Sequence, residues 1–238
     1  MNILITGGTS GIGRQLAIDY AEAGHNVIIC GRTEESLHEL QERYPNNIAG
    51  QKLDVTDADA TLQALRSYTD VDLAILSAGV AEYVDIEDFN TALFERVYAV
   101  NVFGTVRCIE ALLPNLKRGS KLVLVGSTAR LLPFTRAQAY GSSKAALQYI
   151  ARSLQVDLDE RGVKVLTVSP GFVKTPMTDK NDFDMPMRVS VEFASESIRR
   201  GIEKNKTDIS FPRIFSFFLK FMALLPQRLQ VAISKRLA

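Results

Sequence analysis

Hydrophobic positions in this 238-residue chain gather into short unbroken runs and do not alternate strictly with polar ones. Such runs are "NILIT" (2–6), "NVIIC" (26–30), "IAGQKLDV" (48–55), "VDLAILSA" (71–78), "SKLVLVGS" (120–127), "VKVLTVS" (163–169) and "TDISF" (207–211). Continuous apolar runs of this length suit strands covered on both faces, as in a parallel sheet. Between them lie segments with helical spacing, and strands that alternate with helices in this way build right-handed βαβ units. The pattern predicts one α/β domain over residues 1–238. Its centre is a doubly wound parallel sheet of about seven strands flanked by helices, and an apolar helical extension follows at the C-terminal end. No repeat, low-complexity run or linker divides the chain.

The turn after the first run adds chemistry to this frame. "TGGTSGIGRQLA" (Thr6 to Ala17) opens a helix whose apolar face includes Leu16, Ile18 and Ala21. Gly7, Gly11 and Gly13 permit a tight turn, close approach of backbone to a pyrophosphate, and close packing of helix on sheet. The helix N-terminus then faces the phosphates, as in Rossmann-like dinucleotide sites. The second run ends "CGRTEESL", where an NAD site usually carries an acid for the ribose 2′-hydroxyl. Arg32 stands there instead, with Arg14 near enough to assist, and a guanidinium suits a 2′-phosphate. NADP(H) is therefore expected in preference to NAD(H). The plainer reading of Arg32 is a solvated residue ahead of a helix cap at Thr33 or Ser36.

Further along, Tyr140 and Lys144 are four apart in "QAYGSSKAAL", which stacks them on one helical face. A cation within about 4–6 Å pulls a phenol's pKa down and makes it a usable acid or base. The chain thus carries, in order, "TGGTSGIG", "LDV", Ala78-Gly79, Asn101 in "VNVFGT", Ser127, the Tyr140–Lys144 pair and "PG" in "PGFVKTP". In this it resembles the classical short-chain dehydrogenase/reductases over about residues 2–205, which leaves 206–238 as an extension.

The resemblance implies a catalytic tetrad of Asn101, Ser127, Tyr140 and Lys144. Tyr140 would be the general acid, Ser127 would hold the same substrate oxygen, and Lys144 would lower the tyrosine pKa and bond the nicotinamide ribose. Asn101 would hold a water in a proton relay. It also implies cofactor contacts at Gly7, Thr9, Ser10, Gly11, Ile12, Gly13, Arg14 and Arg32, and at Asp54 and Val55 beside the adenine. Further contacts are implied at Ala78, Gly79, Tyr140, Lys144, Pro170, Gly171, Val173 and Thr175. One departure stands out: Leu76-Ser77-Ala78-Gly79 occupies the place where the family commonly has Asn-Asn-Ala-Gly. The amides that brace the sheet centre are missing there, and Ser77 is the expected substitute.

Composition narrows the alternatives. His25 and His38 are the sole histidines, Cys30 and Cys108 lie in apolar segments without metal spacing, and the net charge is +1. Zinc hydrolysis, Ser-His-Asp chemistry, a metal site and nucleic-acid binding are therefore not expected. The chain enters a strand pattern at residue 2 with no leader ahead of it, so the cytoplasm is the expected compartment. Val80, Tyr83, Leu131, Leu132, Phe134, Phe172, Met177, Met185 and Met187 follow the strand ends and would line a pocket for an apolar carbonyl compound. Lys180, Asp182 and Asp184 place the tip of the segment 174–190 in solvent. The expected activity is NADPH-dependent reduction of a carbonyl group. The alternatives are an NAD-dependent alcohol dehydrogenase of the same fold and a non-enzymatic dinucleotide-binding or membrane-associated protein.

Residues 210–238 contain no acid and five bases: Arg213, Lys220, Arg228, Lys235 and Arg236. Apolar residues surround most of the first helical stretch, with Ser216 and Lys220 leaving a narrow polar strip, so this helix has apolar surface to bury. A homodimer or homotetramer whose tail helix shapes the pocket is expected, with weak membrane-surface contact as the second possibility.

Overall fold

The computed structural model describes residues 1–236. Seven strands, β1 (Asn2–Thr6), β2 (Asn26–Gly31), β3 (Ile48–Lys52), β4 (Leu73–Leu76), β5 (Lys121–Val125), β6 (Lys164–Pro170) and β7 (Asp208–Phe211), form one parallel sheet. Their spatial order is β3-β2-β1-β4-β5-β6-β7. The order reverses between β1 and β4, which puts the topological switch point, where such sheets bind ligands, at the carboxyl ends of those two strands.

Both faces of every central strand are covered, which is why the sequence shows runs and not alternation. On one face Ile3, Ile5, Ile29, Ile75, Val123 and Val168 pack against helices α1 (Gly11–Glu22), α2 (Glu34–Arg43) and α7 (Val191–Glu203). On the other, Leu4, Cys30, Ala74, Leu76, Leu122, Leu124 and Val165 meet α3 (Ala58–Arg66), α5 (Thr105–Leu112) and α6 (Gln138–Asp157). Both cysteines are free and buried. The segment 91–115 joins α4 (Thr91–Tyr98), a π-helical turn (Ala99–Gly104) and α5; by length and composition it could cross a membrane, and half of its most apolar window is buried in the body.

Two helices close the chain, α8 (Arg213–Met222) and α9 (Gln227–Ser234). Their packing turns the polar strip of α8 inward. Ser216 is buried, and the Lys220 ammonium reaches inward to the Asp208 carboxylate and the Ser210 hydroxyl, both at 2.7 Å. Leu219 and Met222 join Leu132, Phe134, Phe215 and Ile233 in a small cluster. The opposite side of α8 faces outward: Ile214, Phe217, Phe218 and Phe221 are all exposed, as is Leu224 just beyond the helix. Asp208 at the sheet edge gives the Lys220 ammonium an inward partner, beside the apolar contacts of Leu219 and Met222.

Candidate active site

A groove runs along the carboxyl ends of the strands. One stretch is lined by Gly7, Thr9, Ser10, Cys30, Gly31, Arg32, Leu53, Asp54, Val55, Ala78, Gly79, Val80 and Val100. A second shares Gly7, Ser10 and Gly79 with the first and continues past Gly11, Ile12, Gly13, Ser77, Val125, Gly126, Ser127, Tyr140 and Lys144 to Pro170, Gly171, Val173, Thr175, Pro176, Met177 and Thr178. Every cofactor position expected from the sequence lines one stretch or the other except Arg14. The Arg14 guanidinium is instead paired with Glu39 on α2.

The glycine turn is shaped by close backbone contacts. Gly7 has φ +67°, and a Cβ there would come within 2.9 Å of the Ala78 backbone; one on Gly13 would lie 2.3 Å from the Gly7 carbonyl oxygen. Ser10 caps α1 in an extended conformation without a side-chain cap bond, and the first turn of α1 holds no acid. The amides at that helix end are thus directed to the groove, a geometry that fits a pyrophosphate. Arg32 is exposed at the rim. The carboxyl of Asp54 is pushed up by partial burial, but the Thr56 amide and hydroxyl together with the Arg32 charge outweigh this and hold it below its ordinary value.

The sheet centre is braced by Thr6 and not by Ser77. The Thr6 hydroxyl oxygen accepts from the backbone N–H groups of Ser77 (3.1 Å) and Ala78 (3.2 Å), while Leu76 turns into the core. Thr6 was legible only as a strand-end residue, and its link across the switch point needed the register of β1 with β4, which aligns Thr6 with Leu76.

At the other end, β5 stops at Val125, and Ser127 follows as the cap of a short turn. Its oxygen accepts from the Ala129 N–H at 3.1 Å, so the serine both caps the local backbone and faces the groove beside Tyr140. Lys144 is 5% exposed; its ammonium donates to the Val125 carbonyl at 3.0 Å and stands 5.8 Å from the Tyr140 ring centre. The expected lowering of the tyrosine pKa is not what this arrangement produces. Burial pushes Tyr140 up to about 12, with the Ser127 hydroxyl drawing it down in part and Tyr83 adding to the rise. Burial also pulls Lys144 down to about 8. Low polarity favours the neutral form of each group, so the phenol keeps its proton.

Asn101 sits in the π-helical turn and is fully buried behind Gly79, outside the lining of the groove. Its amide oxygen accepts from the Val80 N–H (2.8 Å), and its nitrogen donates to the Val80 carbonyl (3.0 Å) and to the Ser143 hydroxyl (3.0 Å). The side chain pins the loop after β4 to α6, and this places Gly79 next to Lys144. Thr105 donates to the Asn101 carbonyl oxygen at 2.8 Å, one of the turn's adjustments to the wider helix.

Beyond the groove lies an aromatic wall. Tyr83 meets Phe183 edge-on at 5.2 Å, Phe183 meets Phe172 at 6.2 Å, and Phe172 meets Phe215 of α8 at 5.9 Å. Phe183 and Phe215 were not among the pocket residues expected from sequence; one hides between charges in "DFD" and the other lies far along the chain. Leu131, Leu132 and Phe134 serve chiefly to receive α8. Lys180, Asp182 and Asp184 are exposed as expected, yet Asp182 is paired with Arg136 at 3.0 Å.

The chain belongs to the short-chain dehydrogenase family: a model of that family, described as short chain dehydrogenase, matches residues 1–185. An uncharacterized oxidoreductase of Myxococcus xanthus is 34% identical over 98% of this chain and 96% of its own length. A sulfoacetaldehyde reductase of Chromohalobacter salexigens is 36% identical over 84% of this chain and 80% of its own. Among solved structures, a short chain dehydrogenase from Burkholderia cenocepacia in complex with NADP has a TM-score of 0.86 at 21% identity, covering 97% of this chain and 96% of that one. Another from Burkholderia phymatum, in complex with NAD, has a TM-score of 0.82 at 19% identity over 92% and 91%. The chain is thus an oxidoreductase of this family with a nicotinamide dinucleotide fold.

Proposed function

We propose that the protein reduces a small, apolar carbonyl compound to its alcohol with NADPH, and that Tyr140 is the general acid. The observation that carries this reading is one juxtaposition: Ser127, Tyr140 and Lys144 line the same stretch of groove as Gly7, Gly79 and Pro170. A dinucleotide laid along the groove, when reduced, supplies hydride. The chain's own residues supply the rest. The Ser127 hydroxyl orients the carbonyl oxygen, and Tyr140, held protonated by burial, gives that oxygen its proton as negative charge develops on it. Lys144 as an ammonium stabilises the phenolate that remains and returns a proton to it. Asn101 acts by position, holding Val80 and with it the wall of the groove.

A phenol that resists ionisation is suited to reduction, since the reverse reaction has to begin from the phenolate. Preference for NADPH rests on Arg32, exposed at the rim where the ribose of a bound dinucleotide would lie. Apolar substrate class rests on the wall of Tyr83, Phe172, Phe183 and Phe215. A panel of aldehydes and ketones assayed with NADPH and NADH, read by absorbance of the reduced cofactor, tests the reading. Turnover of apolar carbonyls with NADPH is expected; a purified protein that binds the dinucleotide and reduces none of the panel would overturn it.

A further inference from the structure

We propose that the outward face of α8 docks on an anionic lipid surface. Ile214, Phe217, Phe218, Phe221 and Leu224 fall at spacings of three and four and make one apolar stripe, each residue between 53% and 84% exposed. The helix that carries it has already satisfied its polar side inward, through Lys220 to Asp208 and Ser210. A contiguous aromatic patch of this kind, left uncovered by the chain's own packing, marks an interaction surface.

Charge selects the occupant. The remaining bases of the tail, Arg213, Arg228, Lys235 and Arg236, are all exposed, and residues 210–238 hold no acid. Arg213 lies one turn from Phe217 on the same side of α8, and Arg228 and Lys235, seven apart, share one side of α9. A second copy of the chain meeting this face about a two-fold axis would bring Arg213 and the acid-free tail against their own copies, which opposes association. Anionic headgroups complement that charge, while the aromatic stripe enters the boundary between headgroups and acyl chains. The other residues of the chain carry a net negative charge, so the tail is where basic charge is concentrated. On its inner side the same helix sets Phe215 against Gly171 of the groove.

Co-sedimentation of the full chain with vesicles of phosphatidylcholine, with and without phosphatidylserine, tests this. Binding to the anionic vesicles is expected, and on the order of tenfold weaker binding to the neutral ones or at raised salt. Phe217→Glu with Phe221→Glu should abolish binding, and Leu224→Glu alone, at the most exposed position of the stripe, should weaken it; NADPH titration of each variant verifies that the groove remains formed. A parent that does not sediment with anionic vesicles, or variants that sediment as the parent does, would overturn the proposal. Sedimentation velocity supplies the other arm: a parent oligomer that dissociates in the double variant would assign the face to a second copy of the chain and overturn it equally.

Discussion

The groove and the outer face of α8 both reverse the usual partition of side chains, in opposite senses. In the groove a lysine ammonium is 5% exposed; on α8 a phenylalanine, Phe217, is 74% exposed. Burying a charge and leaving an aromatic ring in water each work against folding. What differs is the surroundings. Lys144 has an acceptor in the Val125 carbonyl and a glycine, Gly79, that leaves room for it, with Asn101 fixing the loop on the far side. Phe217 has no such setting within the chain. The first reversal is completed by the protein itself, whereas the second points to something outside it.

The largest effect should come from the groove. Tyr140→Phe keeps the ring and removes the proton donor, so kcat should fall by about 10²–10⁴-fold while NADPH affinity stays near the parent value. Steady-state kinetics beside a cofactor titration checks this, and turnover at the parent rate would remove Tyr140 from the role of acid.

Lys144→Met probes the buried charge directly. Lys144 is lowered from 10.5 to about 8, so between those values the unfolded chain binds more protons than the folded one, and stability due to this group rises with pH. Tyr140, raised from 10 to about 12, acts in the opposite direction as the pH approaches and passes 10, and is common to parent and variant. From pH 8 to 10 the parent should therefore gain about 2 kcal/mol relative to Lys144→Met, spread almost evenly over that range. Urea denaturation of both proteins across that range measures it; parallel profiles would mean that the lysine is solvated. The reduction rate of the parent should also decline above about pH 8, as the ammonium that restores the phenol's proton is lost.

Arg32→Asp sharpens the reading of the rim. Loss of a charge-assisted bond and the new repulsion toward a 2′-phosphate should lower the NADPH-to-NADH affinity ratio by about tenfold to a hundredfold. Equal affinity of the parent for the two cofactors would show that Arg32 is only a solvated residue.

Much of the groove was legible because its parts obey local rules. Gly7, Gly13 and the Tyr140–Lys144 pair each follow from a fixed spacing within a turn or helix, and the five inner strands follow from runs apolar on both faces. Residues that act across the sheet were not legible in the same way. Thr6 takes the bracing role because the β1–β4 register sets it opposite Leu76, and no periodicity in either segment reports that register. The pKa of Tyr140 does not follow from spacing for a related reason: spacing gives the distance to Lys144, but burial decides the sign. On α8 the sequence yields a narrow polar strip without saying which side meets the body. The partner that receives Lys220 is Asp208, on a strand that precedes the helix, and the helical pattern does not report that pairing.

Lys220→Met tests that last point, and its effect should be the smallest. The Lys220–Asp208 pair is partly exposed, with side chains 42% and 27% accessible, so its contribution at neutral pH is expected to be no more than about 1 kcal/mol. Burial pushes the Asp208 carboxyl up, but the bonded Lys220 ammonium, with Arg130 and the Ser169 hydroxyl, outweighs it and holds the group below its ordinary 3.8. A depressed carboxyl stabilises the fold above its unfolded pKa, and that stabilisation is lost as the pH falls through the folded value. The difference in stability between parent and variant should therefore be constant near neutrality and shrink below pH 3.8. Denaturation profiles of the two proteins would show it. A variant more stable than the parent at neutral pH would mean that hydrophobic contact, and not the ion pair, decides which face of α8 turns inward.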